Sequence, residues 1–138
     1  MKPSNLILVA VLSTLFPFNK AGAQDWSNLG KYQAANTEIK EPVEVVFMGN
    51  SITEGWPSSF FADKPYVNRG ISGQTTPQML LRFRQDVIDL QPKVVVILAG
   101  TNDIAGNTGP MTLEQIRDNI KSMVELAQSN GIVPIICS

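Results

Sequence analysis

Three short segments hold the residues best suited to chemistry. The first is Gly49-Asn50-Ser51-Ile52-Thr53-Glu54-Gly55. A serine at a strand-to-helix turn has an exposed hydroxyl and a backbone N–H in a helix's first turn, where negative charge is favoured. That suits a nucleophile whose attack creates an oxyanion. Taken alone, the plainer reading is a helix cap. A phosphate loop does not fit, because G-x-x-x-x-G-K-[ST] is absent. The second segment is Asn68-Arg69-Gly70-Ile71-Ser72-Gly73-Gln74-Thr75-Thr76, whose two glycines let backbone approach a ligand closely. It also reads as a plain loop into a helix. The third is Gly100-Thr101-Asn102-Asp103. It offers a carboxamide donor beside a carboxylate, or an ordinary turn. The chain has no histidine, so the usual base for a serine nucleophile is missing.

These segments each follow a strand candidate. Val43 to Met48 is a β-branched, mostly apolar run stopped by Gly49. Tyr66-Val67-Asn68 is shorter, Val94 to Ala99 is uninterrupted, and Ile132 to Cys137 is a fourth run. Runs without alternation suit strands buried on both faces of a parallel sheet. Two helices separate them. For the first, Thr76 is the expected cap, Pro77 the first position, and Leu80, Phe83, Val87 and Leu90 the apolar stripe; Gln91-Pro92 ends it. For the second, Thr112 and Gln115 have capping-box spacing. Leu113, Ile116, Ile120, Met123, Val124 and Ala127 form its stripe, and Asn130-Gly131 supplies the exit. Strand and helix in alternation predict an α/β domain with right-handed crossovers and its functional residues at the strand carboxyl ends.

The 138 residues suit one domain, and 43% hydrophobic with 17% charged content is that of a globular chain. A formal charge of -1 offers no basic stripe for nucleic acid. The start has another character. Lys2, the apolar run Leu6 to Phe16 and the small-x-small Ala21-Gly22-Ala23 have the form of a secretory signal, with cleavage expected after Ala23. The run is shorter than the roughly 20 residues a span needs. Gln24 rather than cysteine follows Ala23, which argues against a lipoprotein anchor. The expected division is therefore a signal peptide at 1–23, a polar lead-in at 24–41 with one short helical turn, and the α/β domain from 42 to 138. The protein is expected to be secreted or periplasmic, without a stable membrane anchor. Cys137 is the sole cysteine, so stability must come from the core.

Taken together, in strand order, the three segments resemble the SGNH hydrolases, also called GDSL-like lipases and acylhydrolases, from about Val43 onward. Gly49-Asn50-Ser51 resembles the nucleophile block, Gly73 the second block and Asn102 the third. Asn68 to Thr76 looks particularly like the acetylhydrolase and lysophospholipase-like esterases. The resemblance implies a three-layer α/β/α sandwich with a parallel, flavodoxin-like sheet. It implies Ser51 as nucleophile, with the N–H groups of Ser51 and Gly73 and the carboxamide of Asn102 as oxyanion hole. The reaction implied is hydrolysis of acetyl or short acyl esters of sugars, or of lysophospholipids, through an acyl-serine. No metal or cofactor is implied.

There are two departures. Asn50 stands where the family most often has Asp. The late D-x-x-H block that supplies acid and base does not occur in this chain, so the C-terminal part of the fold is expected to be missing and the chain alone to turn over little ester. Asp103 is a poor substitute base, since its neighbour Asn102 points into the site. A rival reading is a non-catalytic carbohydrate- or ligand-binding module of the same fold. A nucleotide-binding domain is disfavoured by the absence of G-x-G-x-x-G. Trp56, Phe60 and Phe61 are candidates for an acyl pocket or for core packing.

Overall fold

The computed structural model describes residues 24–137. The expected signal at 1–23 lies outside the described residues. Four strands, β1 (Val45–Gly49), β2 (Tyr66–Gly70), β3 (Val94–Leu98) and β4 (Val133–Cys137), form one parallel sheet in the order β2-β1-β3-β4. Each matches its expected apolar run to within a residue or two. Register aligns Gly49 with Gly70 and Met48 with Ile97, so three strands end at nearly one level. The helices are α1 (Gly30–Glu38), α2 (Ser51–Glu54), α3 (Ser58–Phe61), α4 (Thr76–Asp86), α5 (Thr101–Ile104) and α6 (Leu113–Ser129).

One face of the sheet makes the core. Val46 and Met48 of β1 and Val95 and Ile97 of β3 are fully buried against Met79 and Phe83 of α4 and Met123 and Ala127 of α6. Burying such large aliphatic and aromatic side chains is worth about 1.5–3 kcal/mol each. The other face is covered mainly over β1 and β2. There Phe47 meets Trp56, Phe60, Phe61 and Tyr66 at centroid distances of 5.4, 5.8, 5.5 and 6.0 Å. Val94, Val96 and Leu98 are only half-buried. The expected α/β architecture is present, but burial on both faces of every strand is not.

Three local expectations need correction. The lead-in is no single turn: α1 runs nine residues. It lacks an apolar period because it docks through polar atoms. Asp25 accepts from the N–H groups of Leu29 and Gly30, both at 2.8 Å, and Asn36 Nδ2 donates to Asp86 at 2.8 Å. The α4 cap is Thr75 rather than Thr76, with the Thr75 N–H donating to Gln78 Oε1 at 3.0 Å. Its buried face is Met79, Arg82, Phe83 and Asp86. Val87 and Leu90 fall outside the helix, Leu90 in a 3-10 turn (Ile88–Leu90) closed by Gln91 at φ 50. Leu113, placed on the stripe of α6, is 69% exposed. The rest of α6 is as expected, with reciprocal Thr112–Gln115 bonds at 2.9 and 3.2 Å and Gly131 at φ +74.

Candidate active site

Ser51 is exposed and opens α2 directly after β1. The cap of α2 is its neighbour: Asn50, 2% exposed, accepts from the Ile52 N–H at 3.0 Å through Oδ1. An aspartate carboxylate could accept the same bond, so the Asn50 departure leaves the local fold intact. The Ser51 hydroxyl is thus not spent on capping. Two glycines let α2 fold this tightly. A Cβ on Gly49 would lie 2.0 Å from Thr53 Oγ1, and one on Gly70 would lie 2.2 Å from the Glu54 backbone nitrogen.

Hydrogen bonds stitch the three strand-end segments together. The Ile71 N–H donates to the Gly49 carbonyl at 3.0 Å, joining the second segment to the first. Asn102 Nδ2 donates to the Gln74 carbonyl at 2.8 Å, joining the third to the second. Asn107 Nδ2 donates to the Gly73 carbonyl at 3.1 Å. Among the donors of these segments that have no acceptor among the described residues are the Ser51 and Gly73 backbone N–H groups and the second N–H of the Asn102 carboxamide. Gly73 takes φ +76, a left-handed conformation that disfavours any side chain there.

The carboxylates nearby are already engaged. Asp103, 2% exposed, accepts from the Thr76 N–H at 2.9 Å and from the Thr76 hydroxyl at 2.5 Å, so it holds the start of α4. This agrees with its expected turn away from Asn102. Glu54 accepts from Lys31 and from the Ser72 hydroxyl, and from the Ser72 N–H at 2.7 Å. The bonds from Lys31 and then Ser72 pull its carboxyl from 4.5 down to about 2.

Beneath the site lies a polar network that the sequence reading missed. Arg82 and Asp86 pair at 3.0 Å with both side chains 0% exposed. Burial pulls the Arg82 guanidinium below its ordinary value, and the bond it donates to Asp86 opposes that. Arg82 also donates to Gln74 Oε1 at 2.5 Å and to the Gly49 carbonyl at 3.2 Å. Gln74 Nε2 reaches the Ser27 carbonyl at 2.7 Å. The available signal was the i, i+4 spacing of Arg82 and Asp86 on the same helical face as Met79 and Phe83. Trp56 and Phe61 line a cavity of about 510 Å³ with Tyr32, Glu54, Tyr66 and Arg69; Ser51, Gly73 and Asn102 do not line it.

An open parallel sheet with polar groups gathered at the strand carboxyl ends defines an α/β fold of the class that ordinarily carries its sites on strand-end loops. The chain belongs to the GDSL-like lipase/acylhydrolase family, whose sequence pattern matches residues 47–138. A Bacteroides fragilis protein of known structure, named for a proposed acylhydrolase activity, is 52% identical with TM-score 0.79, over 82% of this chain and 58% of its own. An uncharacterized lipoprotein of Bacillus subtilis, YqeF, is 40% identical over 51% of this chain and 30% of its own length. An acetylxylan esterase of Geobacillus stearothermophilus shares the fold at 22% identity and TM-score 0.59, over 71% of this chain and 60% of its own. The chain thus spans a little over half of its solved relatives' length.

Proposed function

We propose that this chain carries the nucleophile and oxyanion-binding half of a secreted serine esterase. The Ser51 oxygen bonds to the ester carbonyl carbon, and the carbonyl oxygen takes the negative charge. The N–H groups of Ser51 and Gly73 and the Asn102 carboxamide donate to that oxygen. Collapse expels the alcohol and leaves an acyl group on Ser51; water then releases the acid and restores the hydroxyl. The observation that carries this reading is the trio of acceptorless N–H donors on three segments tied to one another.

A base must take the Ser51 proton. The chain has no imidazole, and Asp103 is spent on Thr76. The 138 residues alone therefore turn over little ester, and the base belongs to the D-x-x-H block that the family resemblance implies. Substrates are acetyl or short acyl esters of sugars, as the acetylxylan esterase likeness favours, or lysophospholipids. The division into a signal at 1–23, the segment 24–41 and a hydrolase domain from 42 belongs to the same proposal. A lipoprotein among the relatives supports a location outside the cytoplasm.

The test uses p-nitrophenyl acetate with free imidazole as a surrogate base. Without imidazole the chain should add little to the background. With it, an extra rate should appear that Ser51→Ala removes and Asn102→Ala lowers by about 10²–10³. Equal imidazole-supported rates for Ser51→Ala and the unaltered chain would end the nucleophile assignment. Robust turnover without imidazole, lost in Ser51→Ala, would end the claim of inactivity.

A further inference from the structure

Gln74 carries no reactive group, yet all of its polar side-chain atoms are committed. It is 2% exposed, with Oε1 accepting from Arg82 Nε at 2.5 Å and Nε2 donating to the Ser27 carbonyl at 2.7 Å. Its own carbonyl accepts the Asn102 carboxamide at 2.8 Å. Arg82 extends the chain of bonds to the Gly49 carbonyl at 3.2 Å and to Asp86 at 3.0 Å. Gly49 lies two residues before Ser51, and Gln74 directly follows Gly73. The Arg82–Gln74 side-chain pair therefore ties the first segment to the second, and the backbone carbonyl of the same Gln74 holds Asn102 of the third.

We propose that Gln74, clamped between Arg82 and the Ser27 carbonyl, is a positioning residue that sets the spacing of the three oxyanion donors. The inference rests on the assignment of Ser51, Gly73 and Asn102 made above. Its physical ground is what a buried ionic network does and does not provide. Apolar side chains of similar volume would usually stabilise the same space as well or better. They would not supply direction. The Gly73 loop is exposed and has a left-handed residue at its centre, so its path depends on the bonds that anchor its ends. With one N–H of Asn102 fixed on the Gln74 carbonyl, the planar carboxamide has little freedom left for the other. The anchor at Ser27 gives the segment before α1 a role as well. It props the loop from below, together with the Tyr32 hydroxyl, which donates to the Gly70 carbonyl at 2.5 Å.

The experiment compares Gln74→Met, Gln74→Glu and a control, Phe83→Leu, in the 138-residue chain. Met removes both side-chain bonds at similar length. Glu keeps an acceptor for Arg82 but turns an oxygen toward the Ser27 carbonyl, so it decides the matter if Met fails to fold. Phe83→Leu sits on α4 beside Arg82, perturbs the core and touches none of the donors. Two quantities are read for each: hydrogen exchange of the Asn102 carboxamide by ¹⁵N NMR, and imidazole-supported ester cleavage. For the Gln74 variants, exchange should quicken about fivefold. The kcat should fall about 10–100-fold with KM within about twofold, as expected when donors are misplaced by an ångström or less. Phe83→Leu should lower Tm without either change. Folded Gln74 variants that lose Tm like Phe83→Leu yet keep both the exchange rate and kcat overturn the proposal. If the unaltered chain shows no Ser51-dependent cleavage, the esterase reading fails by itself, and Asn102 exchange still decides whether Gln74 positions that carboxamide.

Discussion

The two edges of the sheet are built to different standards. Around the ends of β2, β1 and β3, Arg82, Asp86, Asp103, Gln74 and Asn50 are buried, and no buried side-chain polar atom among the described residues lacks a partner. On β4, Val133, Ile135 and Ile136 stand 58%, 49% and 54% exposed. A strand of a parallel sheet is ordinarily covered on both faces, and among the described residues β4 pairs only with β3. The contrast teaches that the geometry around Ser51 is held by bonds among neighbouring segments rather than by the apolar layer across the sheet. The donor arrangement should therefore survive changes on β4 and fail with changes to the network.

The sharpest way to break this comparison is to remove one member of the buried pair. Asp86→Ala leaves the Arg82 charge buried without its carboxylate, which should cost about 3–5 kcal/mol in chemical denaturation. On α6, Lys121 and Glu125 pair at 3.6 Å with both side chains more than 60% exposed. Lys121→Ala should cost at most about 0.5 kcal/mol. Similar losses for the two variants would show that the network is not what holds the site side together. Next in size is Asp103→Ala. It strips the Thr76 N–H and hydroxyl of their buried acceptor and should cost about 1–3 kcal/mol by the same measurement. A neutral result would mean that water replaces the carboxylate at the start of α4.

What the sequence disclosed follows the same divide. The strands were legible because Val43 to Met48 is a mostly apolar, β-branched run and Val94 to Ala99 an uninterrupted apolar one, each stopped by glycine. The three strand-end segments were legible because their spacing resembles a known family in strand order. The helix α1 was not, because periodicity reports apolar faces, and α1 docks through Asn36, Tyr32 and Lys31. Leu80, Phe83, Val87 and Leu90 do pack in or against the core as expected, but the polar part of the buried α4 face was missed for a related reason. Arg82 and Asp86 look like solvent residues until each is seen to be the other's partner, and pairing across i, i+4 is silent in a hydropathy pattern. Trp56, Phe60 and Phe61 were legible as a group but not as to place. The structure packs them on Phe47, and Trp56 and Phe61 line a cavity that excludes Ser51.

Glu54 offers a smaller test on the site side. Its folded-state pKa is lowered to about 2, chiefly by Lys31 and then by Ser72. A carboxyl depressed in the folded state contributes stability that is fully present above about pH 4.5 and is lost as pH falls from there through about 2. The pair is about one-third exposed, so solvent screens it and the contribution should stay below about 1 kcal/mol. Glu54→Gln should flatten the denaturation midpoint against pH within that window and, above about pH 4.5, lower it by the contribution lost. A variant that keeps the full slope would assign it to other carboxylates.

The smallest stability effect is expected on β4, and there the useful reading is association. Ile136 is paired in register with Ile97 of β3, yet it is 54% exposed where Ile97 is fully buried. Ile136→Thr keeps the β-branched shape that suits a strand and removes apolar surface from the exposed edge. Little native packing is lost, so the change in stability should lie within about 0.5 kcal/mol. An exposed apolar strand with unpaired backbone on its outer side is a template for pairing with another chain. Sedimentation velocity over a concentration series should therefore show self-association for the unaltered chain and less of it for Ile136→Thr, while the Asn102 carboxamide signal stays where it was. If that signal moves with Ile136→Thr, the site and the far edge are coupled, and the separation between the two halves of the sheet is wrong.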